Sequence, residues 1–183
     1  MNTITILQGS PRKHGNTATM VDLLRRQLDS PEVEITVTDL GDCDIQPCID
    51  CRGCKSGEQV CVVADDMDEV YGRLESADLI VIGTPIYWYG PTAQTKLMLD
   101  RLRPYYGNRK LAGKSLALLL VAGMGAPDCD LTIEMFSRAG AALGMTFLDP
   151  VTAKAYEAGE VVEDRAAVMA IGELAASITA NHC

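Results

Sequence analysis

Histidine is almost missing from this chain: His14 and His182 are the only two among 183 residues. A hydrolase working through a Ser-His-Asp set is therefore not expected. Basic residues are outnumbered, 16 Lys and Arg against 25 Asp and Glu, and the net charge of -9 disfavours binding to nucleic acid or to anionic membranes. Long apolar runs are lacking as well. The longest, Ser115 to Ala122, falls far short of a membrane span, and the opening MNTITILQGS has neither the basic flank nor the small-residue cleavage site of a secretory signal. A soluble, cytoplasmic protein is expected. The dinucleotide fingerprint G-x-G-x-x-G is absent, and so is the ATPase loop G-x-x-x-x-G-K-[ST].

What is present is a chain of one domain's length in which short apolar runs alternate with amphipathic stretches. Strands are expected at Thr3 to Gln8, Val33 to Thr38, Leu79 to Gly83, Ser115 to Val121 and Met145 to Leu148, each rich in β-branched or aliphatic residues. Helices are expected at Thr17 to Leu28, Asp66 to Glu75, Thr92 to Leu102, Leu131 to Leu143 and Glu163 to about Thr179. The alternation implies an α/β fold with a five-stranded, doubly wound parallel sheet and helices on both faces. Ligands of such sheets sit beyond the carboxyl ends of the strands, which directs attention to residues 9–16, 84–92 and 122–130. One domain is expected over residues 1–183, with a cysteine-rich insertion at about 41–64.

The first of those loops, Gly9 to Thr17, carries hydroxyls, an amide and exposed backbone N–H groups into the positive end of a helix dipole, which suits a phosphate. The second gathers Tyr87, Trp88 and Tyr89, three of the nine aromatic residues, and points to a planar ring. In the third, Gly123 and Gly125 read first as a plain turn after the strand, and as an alternative they would let backbone approach a ligand edge.

Seven cysteines are many for a reducing compartment, and an odd number argues against a closed disulfide framework. Cys48, Cys51, Cys54 and Cys61 follow the spacing C-x2-C-x2-C-x6-C. Three thiolates at short intervals with a fourth farther on favour an iron-sulfur core over zinc, with reduced structural or redox-active thiols as the alternative. Cys43, Cys129 and Cys183 read as ordinary buried or terminal thiols. Residues 41–70 hold eight acidic groups against Arg52 and Lys55. Such a field would make any cluster there strongly reducing.

Gly9-Ser10-Pro11-Arg12 with Asn16-Thr17, then Thr84-Pro85-Ile86-Tyr87, then Lys96 with Asp100-Arg101, resemble the NAD(P)H-dependent FMN reductase group of flavodoxin-like proteins. The cysteine stretch, followed by Asp65-Asp66-Met67, resembles the iron-sulfur flavoprotein branch of that group. The resemblance implies FMN with its phosphate on Ser10, Arg12, Asn16 and Thr17, and its ring against Pro85, Ile86, Tyr87 and Trp88 with Gly123 nearby. It implies a 4Fe-4S cluster on Cys48, Cys51, Cys54 and Cys61. It further implies a homodimer with the flavin at the interface, or a dimer of dimers, and a structural or interfacial role for Lys96 to Arg101. On this reading no side chain is catalytic in its own right, since the flavin carries the chemistry. Electrons would pass through cluster and flavin between a donor such as ferredoxin or NAD(P)H and an acceptor such as a quinone, oxygen or peroxide. The alternatives are a cluster-free NAD(P)H-dependent FMN or quinone reductase, a non-enzymatic carrier like flavodoxin, and a thiol or metal sensor.

Overall fold

The apolar runs pair side by side as their alternation with helices demands. The computed structural model describes residues 2–180, so Cys183 and His182 lie outside it. Strands β1 (Asn2–Gln8), β2 (Val33–Asp39), β3 (Leu79–Pro85) and β4 (Ser115–Ala122) lie parallel in the order β2-β1-β3-β4. β3 and β4 are buried almost throughout, as central strands covered on both faces must be, whereas the edge strand β2 is mostly half-buried or exposed.

The fifth position of the sheet departs from the expected single strand at Met145 to Leu148. It is split into β5 (Thr146–Phe147), which pairs with Ser115 and Leu116, and β6 (Val151–Lys154), which pairs with Leu119 to Ala122. Pro150 sits in the break and has no amide to give a ladder. The sheet thus keeps five positions with six strands. Its second segment brings Ala155 to Glu157 to the carboxyl edge, a wall absent from the sequence reading.

Helices α1 (Asn16–Leu28) and α6 (Arg165–Ala180) cover one face. Met20, Val21, Leu24, Ile171, Leu174 and Ile178 from these helices are buried against Ile4, Ile6 and Val81. Each such side chain contributes about 1.5–3 kcal/mol by leaving water. The other face is covered by α2 (Met67–Ser76), α3 (Ala93–Asp100), α4 (Pro104–Asn108) and α5 (Asp130–Leu143), with Leu74, Met98, Tyr105 and Phe136 over Leu7, Ile80 and Leu118. The helix expected over Thr92 to Leu102 ends at Asp100 and a new turn starts at Pro104, where proline's fixed φ favours a first helical position. Among the described residues no helix is long and apolar enough to cross a membrane.

β1 leads to β2 on one side and the chain then crosses to β3 on the other, so the loops after β1 and β3 diverge at the switch point. A crevice is expected there.

Candidate functional site

That crevice is a cleft of about 450 Å³ lined by Ser10, Arg12, Asn16, Thr17, Pro85, Ile86, Tyr87 and Gly123, with Ala155, Tyr156 and Glu157 as the wall added by β6. Eight of the nine residues expected there from the sequence come together in it; the ninth, Trp88, stands off the lining and is 96% exposed. Tyr156 and Glu157 were missed because Val151 to Lys154 was not read as a strand. Its two β-branched residues following Pro150 were the available signal.

The floor is the N-terminus of α1. Gly15 at the cap offers no side chain, no acidic residue occupies the first turn, and no side chain accepts from the exposed N–H groups. By contrast, Thr92 at the start of α3 accepts a bond from the Thr95 amide. The uncapped donors of α1 and its dipole favour an anion. Arg12 is exposed beside them and makes no ion pair among the described residues.

Ser10 is buried, its hydroxyl accepting from the Arg12 amide at 3.1 Å, while its own amide donates to the Gln8 side chain. Asn16 serves the fold directly. Its amide nitrogen donates to the Glu157 carbonyl at 2.8 Å and its oxygen accepts from the Val161 amide at 3.2 Å, which ties the β6 wall to the start of α1. The loop also presses on α3, where the Thr92 hydroxyl donates to the Gly9 carbonyl at 2.5 Å. A Cβ on Gly9 would stand 1.8 Å from the Thr95 Oγ1, so only glycine fits.

The opposite rim is a tight hairpin turn. Tyr87 and Gly90 exchange backbone bonds of 2.8 and 3.1 Å, and Trp88 and Tyr89 between them have φ of 51° and 64°. Two positive φ values make a turn of mirror-image twist, which asparagine and glycine ordinarily occupy. Placing aromatic residues there costs about 1–2 kcal/mol each. The Thr132 hydroxyl, donating to the Tyr89 carbonyl at 3.1 Å, holds the turn against α5.

The second feature is the cysteine stretch between β2 and α2, which has no regular structure beyond one 3-10 turn at Gly53–Lys55. Asp50, Arg52 and Gln59 take positive φ, bending the backbone between the thiols. Cys48 and Cys51 are exposed, and Cys54 and Cys61 are partly buried. All four line one small cavity of about 30 Å³, together with Arg101. Among the described residues no three His, Cys, Asp or Glu side chains are gathered closely enough to hold a metal ion.

Arg101 fastens this stretch. Its side chain is 1% exposed; Nη1 donates to the Gln46 carbonyl at 2.8 Å and Nη2 to the Val63 carbonyl at 3.0 Å. The same two nitrogens grip Asp65 at 2.6 and 3.2 Å. Burial disfavours the guanidinium charge, but Asp65 and the nearby Cys61 sulfur outweigh it, so Arg101 is held charged more firmly than usual. The Arg101 Nε–H is buried with no oxygen or nitrogen partner, and the Cys61 sulfur lies beside the guanidinium. For Asp65, burial pushes the carboxyl up, but Arg101 and the amides of Gln46 and Met67 bring it below its ordinary value.

The donor set suits a sulfur-ligated metal core chemically: four thiols and one unspent buried N–H donor line a single cavity. Cys43 and Cys129 lie elsewhere. Burial, then Asp128 and Asp130, push the Cys129 thiol up to about 11, so it stays protonated and inert at neutral pH. Cys43 is likewise raised, by burial first and then by Asp66.

A doubly wound parallel sheet in the order β2-β1-β3-β4-β5 with a cleft at its switch point defines the flavodoxin-like class. The chain belongs to the NADPH-dependent FMN reductase family, whose pattern matches residues 2–158. It is 34% identical over 129 residues to an iron-sulfur flavoprotein of Archaeoglobus fulgidus, covering 70% of this chain and 58% of that one. It is 38% identical over 98 residues to an iron-sulfur flavoprotein of Methanocaldococcus jannaschii, covering 54% and 50%. The chain thus spans about half the length of these two relatives. Both carry the name of the branch that the cysteine motif resembles. In three dimensions the chain overlays a flavodoxin, WrbA-like protein of Agrobacterium tumefaciens with a TM-score of 0.66 at 16% identity, over all of both chains, which establishes the fold.

Proposed function

We infer that this chain binds FMN in the cleft at the switch point and works as an FMN-dependent oxidoreductase. The observation that carries the reading is the uncapped N-terminus of α1 opening into the cleft beside the unpaired Arg12. The amides of α1 and the hydroxyls of Ser10 and Thr17 would hold the phosphate, and Arg12 would neutralise it. Pro85, Ile86 and Tyr87 would cover the ring on one side. Gly123, whose only near neighbour is the Tyr156 ring 3.4 Å from where a Cβ would stand, leaves backbone open to its edge. Asn16 acts by holding the wall at Glu157 in place. The exposed Tyr87, Trp88 and Tyr89 at the mouth support a homodimer closing over this cleft.

Cys48, Cys51, Cys54 and Cys61 would hold a 4Fe-4S cluster where they line one cavity, which requires the stretch to rearrange because no three of the thiols lie at metal-holding distance. When bound, FMN supplies two-electron or one-electron transfer, whereas a cluster passes electrons singly. The protein would then link an NAD(P)H or ferredoxin-type donor to a quinone or oxygen-species acceptor. Its acidic insertion would steer a basic partner and repel added electrons at the cluster. A second reading has its own support. Because no three of these thiols are gathered at metal-holding distance, a cluster-free NAD(P)H-dependent reductase with reduced thiols also fits.

Anaerobic purification followed by measurement of FMN, iron and acid-labile sulfide per chain tests both readings. FMN with iron and sulfide, the metal lost in Cys48→Ala and Cys54→Ala, supports the first. FMN without iron supports the second, and absence of FMN overturns both. In Arg12→Ala the affinity for FMN should fall about tenfold, equivalent to roughly 1.4 kcal/mol.

A further inference from the structure

The Nε–H of Arg101 is a buried donor with no oxygen or nitrogen partner, on a side chain whose other N–H groups are all spent on Gln46, Val63 and Asp65. Leaving a charged donor unsatisfied costs about 1–3 kcal/mol or more. Native proteins keep such groups when something else completes the bond. Arg101 faces the same cavity as Cys48, Cys51, Cys54 and Cys61, and the Cys61 sulfur lies beside its guanidinium.

The guanidinium tips explain the fold of the stretch. Gln46 lies just before the first of the four cysteines, and Val63 and Asp65 just after the last, so one side chain clamps both ends. The tips do not explain why arginine is needed rather than two simpler donors. The remaining N–H does, if its acceptor is a sulfur held among the thiols.

We propose that Arg101 is a positioning residue whose Nε–H donates a hydrogen bond to a sulfur of the cluster that Cys48, Cys51, Cys54 and Cys61 hold. The inference rests on the cluster reading given above and deepens it. An N–H donor and a fixed positive charge at a sulfur stabilise the reduced cluster, so Arg101 raises a potential that the surrounding carboxylates lower.

The test uses anaerobically purified holoprotein. Arg101→Lys keeps the charge and removes Nε–H, and its cluster potential should shift to more negative values. Asp65→Asn loosens the same clamp but leaves Nε–H in place and removes a negative charge, so its potential should stay or rise. Equal shifts of the same sign in the two variants would mean that Arg101 acts only as a clamp, and would overturn the proposal. Should Arg101→Lys fail to fold, the wild type decides. Protein labelled with 15N-arginine and reduced with dithionite should show a nitrogen coupling to the cluster in pulsed EPR that persists in Arg52→Lys and Arg103→Lys, whose side chains line the same cavity, and its absence overturns the proposal. Iron and sulfide are assayed first: none bound overturns the cluster reading and this inference with it, whereas cluster present without the coupling or the opposed shifts overturns this inference alone.

Discussion

Replacing Asp65 by asparagine strikes the one ion pair among the described residues that is buried on both sides, with side-chain exposures of 1% and 4%. The asparagine keeps one acceptor oxygen for the four donors that now meet the carboxylate, namely two from Arg101 and the amides of Gln46 and Met67 at 2.9 and 3.0 Å. Its new NH2 must also face a donor. Removing one partner of a buried pair costs about 3–5 kcal/mol because the other charge is left uncompensated. For a chain of this length each kcal/mol lowers Tm by about 2–4 °C, so a fall of roughly 6–20 °C is expected. Scanning calorimetry of the FMN-loaded protein at pH 7 reads it, and limited proteolysis should cut first within residues 41–66. The exposed pair Arg138–Glu134 is the control, and its loss should matter by less than about 1 kcal/mol. A fall in Tm of 2 °C or less, with the stretch still protease-resistant, would refute the argument. The acid side offers a second check. Because the folded carboxyl is depressed, its contribution is complete above the unfolded value near pH 3.9 and disappears as pH falls through the lower folded value. The gap between wild type and Asp65→Asn should therefore close only below about pH 4.

Gly9→Ala should destabilise the protein by about 1–3 kcal/mol and weaken FMN binding, since the added methyl meets Thr95 at 1.8 Å; urea titration and flavin titration measure the two effects. Trp88→Asn should raise stability by about 1 kcal/mol by relieving the positive φ of 51° at a position that asparagine tolerates, and an unchanged or lower urea midpoint would contradict this. Thr92→Val removes the cap of α3 and the bond to the Gly9 carbonyl, and should cost about 1–2 kcal/mol in the same titration.

The strands and the cleft were legible because they rest on local pattern. Apolar runs such as Leu79 to Ile82 are buried on both faces and need no tertiary information to be seen. The break between β5 and β6 was not legible. Met145 to Leu148 reads as one complete short strand, and only the register of β4, long enough for two partners, shows that Val151 to Lys154 continues the same sheet position. Trp88 could be assigned to the aromatic loop from sequence, but its direction depends on two left-handed residues that carry no sequence signal of such a turn. The cysteine spacing named a chemistry but not the clamp. The resemblance gives Lys96 to Arg101 a structural or interfacial role, and only the fold shows Arg101 buried against a carboxylate 36 residues away.

Helix α3 is capped at its start by Thr92, which holds the cleft loop through the Gly9 carbonyl, and at its end by Arg101, which holds the cysteine stretch. At 1.5 Å per residue these two anchors stand about 14 Å apart along the axis. The helix is in effect a ruler between two places that exchange no other short covalent path. Adding a single residue to it would rotate one anchor by about 100° and displace it by about 1.5 Å relative to the other, so its length is as much a part of the design as any side chain in either site.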